Sequence, residues 1–213
     1  MRVSVTELAD YRRFRDTDQT FEEWLARWKR LIPPTPAMRA GTRFHRFLET
    51  GGRDYADRVV FKLDFTPIKP DSCEVPLSRE FAIGGETVKL VGRLDAIQGK
   101  TILDYKLLGR YPKVEKYSES VQWRSYFVLY PQAERFRYQF FIRGYSGDPQ
   151  VVVVRDIREC AFSRYPAVED DVTALLADYR AFVREMEAIG KITPEDHETR
   201  TSSRRRRSKR KSE

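Results

Sequence analysis

Two aspartates and one lysine, Asp95, Asp104 and Lys106, have the types and the spacing from which chemistry can be predicted most directly. They lie in two short apolar-rich runs, Val91–Gln98 and Thr101–Leu108, joined by a two-residue loop that begins with glycine. Such a pattern predicts a β-hairpin with a type II′ or I′ turn. Carboxylates on neighbouring strands with a lysine beside them are suited to binding a divalent cation.

The hairpin loop fixes which residues face each other. If Gln98 pairs with Thr101, the register places Asp95 opposite Asp104, with their Cβ atoms about 4.5–5.5 Å apart. Lys106 follows Asp104 by two residues and therefore shares its face of the sheet. Opposed carboxylates repel each other unless a positive charge lies between them, and a divalent cation with oxygen ligands at about 2.0–2.6 Å would supply that charge.

The alternative is an ordinary surface hairpin, since exposed hairpins often carry aspartate and lysine. The flanking residues argue against it, because Leu94, Ile97 and Ile102 are apolar and indicate a half-buried hairpin. Charged residues in such a strand need partners.

The composition, with 40% hydrophobic and 34% charged residues in 213, is typical of a globular protein. No run approaches the roughly 20 apolar residues that cross a bilayer, and no secretory signal is apparent, so we expect a cytoplasmic location without membrane association. Cys73 and Cys160 are far apart and form no CxxC pair. They favour a reducing compartment and argue against a zinc or iron–sulfur site built from cysteine alone.

Positive charge is concentrated near the C-terminus. Residues 201–213 contain seven basic residues and one acid, and so contribute +6 of the formal net charge of +8. We expect one domain over residues 1–195 and a disordered basic tail over 196–213. The tail would add salt-dependent attraction to a polyanion, most simply DNA, and a solubilising or expression-related tail is the alternative.

Apolar spacing and turn signals predict the elements that position these groups. Helices are expected at 5–15, 21–31, 37–50, 118–130 and 166–189, with a short one at 54–62. Strands are expected at 74–83, 86–98, 101–108, 135–145 and 150–157. This order of elements predicts an α/β or α+β fold around a central mixed sheet flanked by helices.

His45 is the histidine that we consider as a metal ligand, although a single histidine among apolar helix residues is commonly a core or edge residue. Gly41 lies one turn earlier on the same helix face and would allow close approach of a neighbouring backbone. A neutral imidazole would complete a site formed by Asp95, Asp104 and a backbone carbonyl, that of Tyr105.

Two further pairs of polar residues could extend the site. Gln122 and Tyr126 share a helix face, where they would contact phosphate or orient the lysine, or would simply form a helix edge with a half-buried tyrosine. Glu74 and Glu80 share a face of the first predicted long strand, and either could reach a metal through water.

Taken together, these residues resemble the RecB-like branch of the PD-(D/E)XK nucleases. That family has a GxxxH helix, a GxxD strand, a (D/E)xK strand and a QxxxY helix. They correspond here, in family order and with similar spacing, to Gly41–His45, Gly92–Asp95, Asp104–Lys106 and Gln122–Tyr126. The resemblance covers about residues 3–190, and the ordered set is far more specific than any one motif.

The resemblance implies a restriction-endonuclease-like core and a deoxyribonuclease, an exonuclease above all, that depends on Mg²⁺ or Mn²⁺. Its catalytic residues would be Asp95, Asp104 and Lys106. Its metal ligands would be His45, Asp95, Asp104 and the carbonyl of Tyr105. Its DNA contacts would be Gln122 and Tyr126.

The departures from the family refine this expectation. Many relatives, including the CRISPR adaptation nucleases, hold an iron–sulfur cluster on four cysteines that this chain lacks, so it is more similar to the cluster-free exonucleases of bacteriophages. A phosphate-binding helicase motif is also absent, so a helicase or a single-strand annealing protein is the implied partner. Two alternatives stay open: an endonuclease with the same site, and a DNA-binding module without activity.

Overall fold

The computed structural model describes residues 1–67, 69–197 and 199. Its strands are β1 (Arg2–Ser4), β2 (Val59–Phe61), β3 (Ser72–Ile83), β4 (Glu86–Gln98), β5 (Thr101–Leu108), β6 (Arg135–Arg143) and β7 (Val152–Ser163). Its α-helices are α1 (Val5–Asp16), α2 (Phe21–Trp28), α3 (Pro36–Glu49), α4 (Val114–Ser118), α5 (Val121–Leu129) and α6 (Val168–Ala188).

These strands form one mixed sheet in the order β1-β4-β5-β6-β7-β2, with β3 also paired to β4. The neighbours β3–β4, β4–β5 and β6–β7 are antiparallel, whereas β1–β4, β5–β6 and β2–β7 are parallel. Helices flank the sheet. The arrangement confirms the predicted fold class and is consistent with a restriction-endonuclease-like core.

Two clusters of buried side chains cover the two faces of the sheet. The larger one joins the sheet to α1, α2, α5 and α6, and the smaller one joins it to α3. Ile102 packs in the larger cluster and Leu103 in the smaller one. Because neighbouring strand residues point to opposite faces, the two clusters lie on opposite sides of β5.

The first two helices begin where the sequence predicts. Ser4 caps α1 and Thr20 caps α2, each in a capping box that is closed by the glutamate three residues later. The predicted end of the second helix at residue 31 is wrong, because α2 ends at Trp28 and Arg30 has a left-handed backbone with φ of 61°.

The predicted short helix at 54–62 is also wrong. A 3₁₀ turn at Ala56–Arg58 leads into β2, which pairs in parallel with β7. A three-residue strand has too few side chains to show a period in the sequence, and its partner is almost a hundred residues away. The equally short β1 was not predicted for the same reason.

Residues 196 and 197, beyond the last long helix, pack against α2 and α6. Asp196 forms an ion pair with Lys29. His197 lies edge-on against Trp28, and its Nε2 is 2.8 Å from an oxygen of Glu187. Most of the expected basic tail (196–213), namely residues 198 and 200–213, lies outside the described residues. None of the helices in the described part of the chain combines the length and the apolar character needed to cross a bilayer.

Candidate active site

The candidate site lies at a gap in the sheet, on one edge of β4. On this edge, residues Lys89–Val91 pair with β1, and the last three residues of β4 pair with β5. Strand β3 pairs with the opposite edge of β4. Within the described residues, Gly92–Asp95 therefore has no strand partner on the edge that faces β5. We call the space between Gly92–Asp95 and the facing residues Asp104–Lys106 the slot.

The predicted hairpin register is confirmed up to the slot and ends there. Gln98 pairs with Thr101 and Ala96 with Leu103, as predicted, but the ladder contains no pair between Asp95 and Asp104. Instead, the Asp95 carboxylate accepts a hydrogen bond of 3.2 Å from the backbone N–H of Tyr105. A side chain thus replaces the backbone acceptor with which the ladder would have continued.

Side chains along β4 point alternately to the two faces of the sheet, and this alternation changes phase at Asp95. Leu94 and Ile97 pack in the larger cluster and Ala96 in the smaller one. Regular alternation would put Leu94 and Ala96 on the same face. The change of phase is consistent with the hydrogen bond of Asp95, which runs across the slot to the backbone of β5 rather than into either cluster.

Glu74 lies at the matching position of β3, between the pairs Cys73–Ala96 and Val75–Leu94. It has a left-handed backbone with φ of 52°, which is uncommon for any residue but glycine. The packing of β3 also changes phase here, because Cys73 packs against the smaller cluster and Val75 against the larger one. Glu74 and Asp95 thus form one irregularity that spans two strands.

The Glu74 carboxylate lies 2.5 Å from the guanidinium of Arg93. Sequence reasoning considered Glu74 only as an indirect metal ligand and missed its backbone role. Glu80 is not part of the slot, because it pairs with Lys89 further along the strands, at 3.3 Å.

Asp104 is the most buried acid of the slot, with only 2% of the residue exposed. One carboxylate oxygen accepts a 2.7 Å hydrogen bond from the Gln122 amide. The other lies 2.5 Å from the Lys106 ammonium but lacks a hydrogen bond of good geometry. Burial raises the pKa of Asp104 to about 6, and Asp95 adds to the rise, against the lowering effect of Lys106.

Lys106 keeps its positive charge. Burial alone would lower the pKa of its ammonium, but the carboxylates of Asp104 and Asp95 outweigh that effect and raise the pKa above its usual value. The side chain is 28% exposed, and its nitrogen lies 5.7 Å from the centre of the Tyr138 ring. A cation with partial access to solvent therefore stands next to the buried carboxylate.

His45 reaches the slot from α3, the helix on the face opposite to α5. Its Nδ1 lies 3.6 Å from the Asp95 carboxylate, and its ring is edge-on to that of Tyr105 at 6.0 Å. The expectation that Gly41 allows close approach of a backbone is wrong. A β-carbon at Gly41 would meet nothing within 4 Å among the described residues, so no neighbouring backbone of theirs lies close to it.

Gln122 and Tyr126 of α5 both reach the slot, from the face of the larger cluster. The Tyr126 hydroxyl donates a 2.8 Å hydrogen bond to the carbonyl of Arg93, on the edge of β4 that has no strand partner. Tyr126 is buried, and burial raises the pKa of its phenol. Each side chain therefore positions one side of the slot. Gln122 positions Asp104 on β5, and Tyr126 positions the backbone of β4.

The donor atoms of the slot fit a hard cation with open coordination positions. Among the described residues, no group of three or more His, Cys, Asp or Glu side chains is arranged to hold a metal by itself. Mg²⁺, however, usually binds one or two carboxylates and completes its shell with water and phosphate. The poorly satisfied oxygen of Asp104 and the carboxylate of Asp95 meet that requirement. Since the N–H and C=O of a strand residue point to the same side, the carbonyl of Tyr105 also faces the slot.

Comparisons with known proteins bear on the fold. No family model matches the chain, and no curated protein matches its sequence. The crystal structure of SSO0001 is similar at 19% identity and a TM-score of 0.54, over 85% of this chain and 75% of that one. The crystal structure of LHK-Exo in complex with dAMP aligns at 15% identity and a TM-score of 0.46, over 90% of this chain and 94% of that one. The first likeness agrees with the architecture described above.

Proposed function

We propose that this chain is a deoxyribonuclease that hydrolyses phosphodiester bonds with Mg²⁺ or Mn²⁺ bound, and that it acts on DNA ends as an exonuclease. The observation that carries the proposal is the slot, where Asp95, Asp104 and Lys106 meet at a break in the sheet. A structural sheet has no need of a buried carboxylate with one oxygen that lacks a good hydrogen bond.

The metal would be held by His45, Asp95, Asp104 and the carbonyl of Tyr105. When bound, Mg²⁺ or Mn²⁺ would polarise the scissile phosphate and lower the pKa of a coordinated water. Histidine among the ligands favours Mn²⁺ relative to a site made of oxygen alone. The charge of Asp104, which burial opposes in the free protein, would then be compensated.

The remaining residues of the slot would hold and stabilise the reacting groups. The Lys106 ammonium, fixed beside Asp104, would orient the attacking water and stabilise negative charge that develops on the phosphate. Gln122 would keep Asp104 in place through its amide. Tyr126 would keep the unpaired edge of β4 in place through its bond to Arg93.

The proposal is tested with purified protein on end-labelled linear DNA, single- and double-stranded, and on closed circular DNA. We expect loss of label from linear DNA in Mg²⁺ or Mn²⁺, no cleavage in EDTA, and intact circles. Cut circles would favour the endonuclease alternative. Binding of DNA without cleavage in either metal would contradict the proposal and favour a DNA-binding module. If cleavage depends on a helicase or a single-strand annealing partner, adding that partner should raise the rate of cleavage at duplex ends.

A further inference from the structure

An exposed tyrosine lies just beyond the end of β5, outside the slot. Tyr111 is 51% exposed, yet its ring is held by charged neighbours. The guanidinium of Arg155 lies 5.4 Å from the ring centre and that of Arg158 lies 5.7 Å from it. The carboxylate of Asp156 pairs with Arg158 at 2.9 Å, and the nearby Tyr111 hydroxyl helps to lower the pKa of that carboxyl against the effect of burial. The ring is therefore both accessible and oriented.

A β-bulge brings the two arginines together. Ile142 pairs with Asp156 and Arg143 with Val154, so Arg155 is an extra residue of β7 without an opposite partner. In a regular strand, residues three apart point to opposite faces. The bulge redirects Arg155 so that it reaches the same ring as Arg158. Bulges often redirect side chains next to active sites.

This ring lies on the Lys106 side of the sheet. Lys106 pairs with Phe140 on β6, and Phe140 pairs with Arg158 on β7, so the three residues form one row across the sheet. Strands are about 4.8 Å apart, which places Arg158 roughly 10 Å from Lys106 along this row. Tyr117 of α4 packs on Phe140 at 4.6 Å, and the loop that carries Tyr111 connects β5 to α4.

The surroundings of Tyr111 are mainly basic. Arg110 and Lys113 of the same loop are exposed, as are Glu115 and Lys116 of α4. Together with Arg155 and Arg158 of β7, the basic residues number five, against the two acids Asp156 and Glu115. An oriented aromatic ring with cations around it matches an unpaired nucleobase and its phosphates, because stacking tolerates any base and the cations attract the backbone.

We propose that Tyr111 stacks on an unpaired base of the DNA strand, within about three nucleotides of the scissile phosphate, while Arg155 and Arg158 contact the adjoining phosphates. This inference rests on the proposed function and deepens it, because the site would take a single strand or the frayed end of a duplex. Tyr111 is then a determinant of the substrate and not a catalytic residue.

The test measures binding separately from cleavage. Affinities of fluorescein-labelled single-stranded oligonucleotides are measured in EDTA for the wild type, Tyr111→Ala and Tyr111→Phe. We expect Tyr111→Ala to bind about 5- to 150-fold more weakly, the range for loss of one base–aromatic stack, and Tyr111→Phe to stay near the wild type. Tyr145→Ala is the matched control, since Tyr145 is 91% exposed in the loop between β6 and β7, and it should bind like the wild type.

Abasic oligonucleotides identify the stacked position. One abasic nucleotide, moved stepwise along the strand, should weaken binding by the wild type at one position and have no effect there on Tyr111→Ala. Equal losses in both proteins, or wild-type affinity of Tyr111→Ala, would overturn the stacking proposal even if DNA is cleaved. Stacking without cleavage in Mg²⁺ or Mn²⁺ would instead overturn the nuclease proposal and leave this one standing.

Discussion

The ring of Tyr126 packs directly on the α-carbon of Gly92. A β-carbon at Gly92 would lie 2.8 Å from a ring carbon of Tyr126 and 2.8 Å from a methyl carbon of Leu129. Because the hydroxyl of the same tyrosine donates a hydrogen bond to the Arg93 carbonyl, this contact fixes how α5 docks on β4. It also fixes the position of Gln122, one turn earlier on α5, and through it that of Asp104.

Gly92→Ala should therefore reduce both stability and cleavage. Overpacking of a core position typically costs about 1–3 kcal/mol, and here the displaced element is the helix that holds Asp104. The free energy of unfolding from urea titration and the single-turnover rate of DNA cleavage should both fall.

Gly41→Ala is the matched control, because both glycines belong to the motifs and only one is packed. A β-carbon at Gly41 enters open space within a helix. Alanine there should raise the free energy of unfolding by about 0.5–1 kcal/mol. If both variants lost stability equally, close packing at Gly92 would not explain the loss.

The two histidines should respond differently to replacement by alanine. His45→Ala should weaken Mn²⁺ binding in calorimetry and leave the melting temperature in EDTA nearly unchanged, because this ring touches the slot and is 26% exposed. His197→Ala should lower the melting temperature and leave Mn²⁺ affinity unchanged, because His197 packs on Trp28 and pairs with Glu187. The reverse pattern would exclude His45 as a ligand.

Substitutions at Glu74 separate its backbone from its charge. A left-handed backbone costs most residues about 1–2 kcal/mol, a strain that glycine does not have. Glu74→Gly should thus keep the fold and the cleavage rate despite loss of the Arg93 pair. Glu74→Val should lower both the melting temperature and the rate, since a β-branched residue resists this backbone and would shift Asp95. Equal activity of the two variants would show that the backbone of Glu74 does not control the geometry of the slot.

The sequence predicts the hairpin well, because its register depends on local signals. The Gly99-Lys100 loop and the alternation around it suffice to pair Gln98 with Thr101. The phase change at Glu74 and Asp95 has no such signal, since a left-handed residue is expected to be glycine or asparagine. It depends on contacts between strands and with α5, which form only in the folded protein.

The roles of the two motif glycines could not be told apart from the sequence for a similar reason. Gly41 and Gly92 each precede a candidate ligand by three or four residues, and either could permit close packing. The docking of α5 covers Gly92, whereas a β-carbon at Gly41 of α3 would meet none of the described residues within 4 Å. The short strand β2 escaped prediction because its pairing with β7 is entirely long-range.

Asp104 should make the stability of the metal-free protein depend on pH. Burial raises its pKa in the folded protein to about 6, from 3.8 in the unfolded chain. Folding then takes up a proton, so this contribution to stability is complete below pH 4 and is lost as the pH rises through 6. In EDTA, the unfolding free energy of the wild type minus that of Asp104→Asn should fall by up to about 3 kcal/mol between pH 4 and 8. A constant difference would show that folding does not raise the pKa of Asp104.

The most direct test of the proposed active site is the single-turnover rate of DNA cleavage by Asp104→Asn in saturating Mg²⁺ or Mn²⁺. The substitution keeps the shape of the side chain and removes the charge that would bind the metal. We predict a loss of more than about a hundredfold with a folded protein, as for removal of one group that stabilises charge in the transition state. Glu80→Gln, an acid of the same sheet outside the slot, should cleave at the wild-type rate. Wild-type cleavage by Asp104→Asn would contradict the assignment of the slot as the active site.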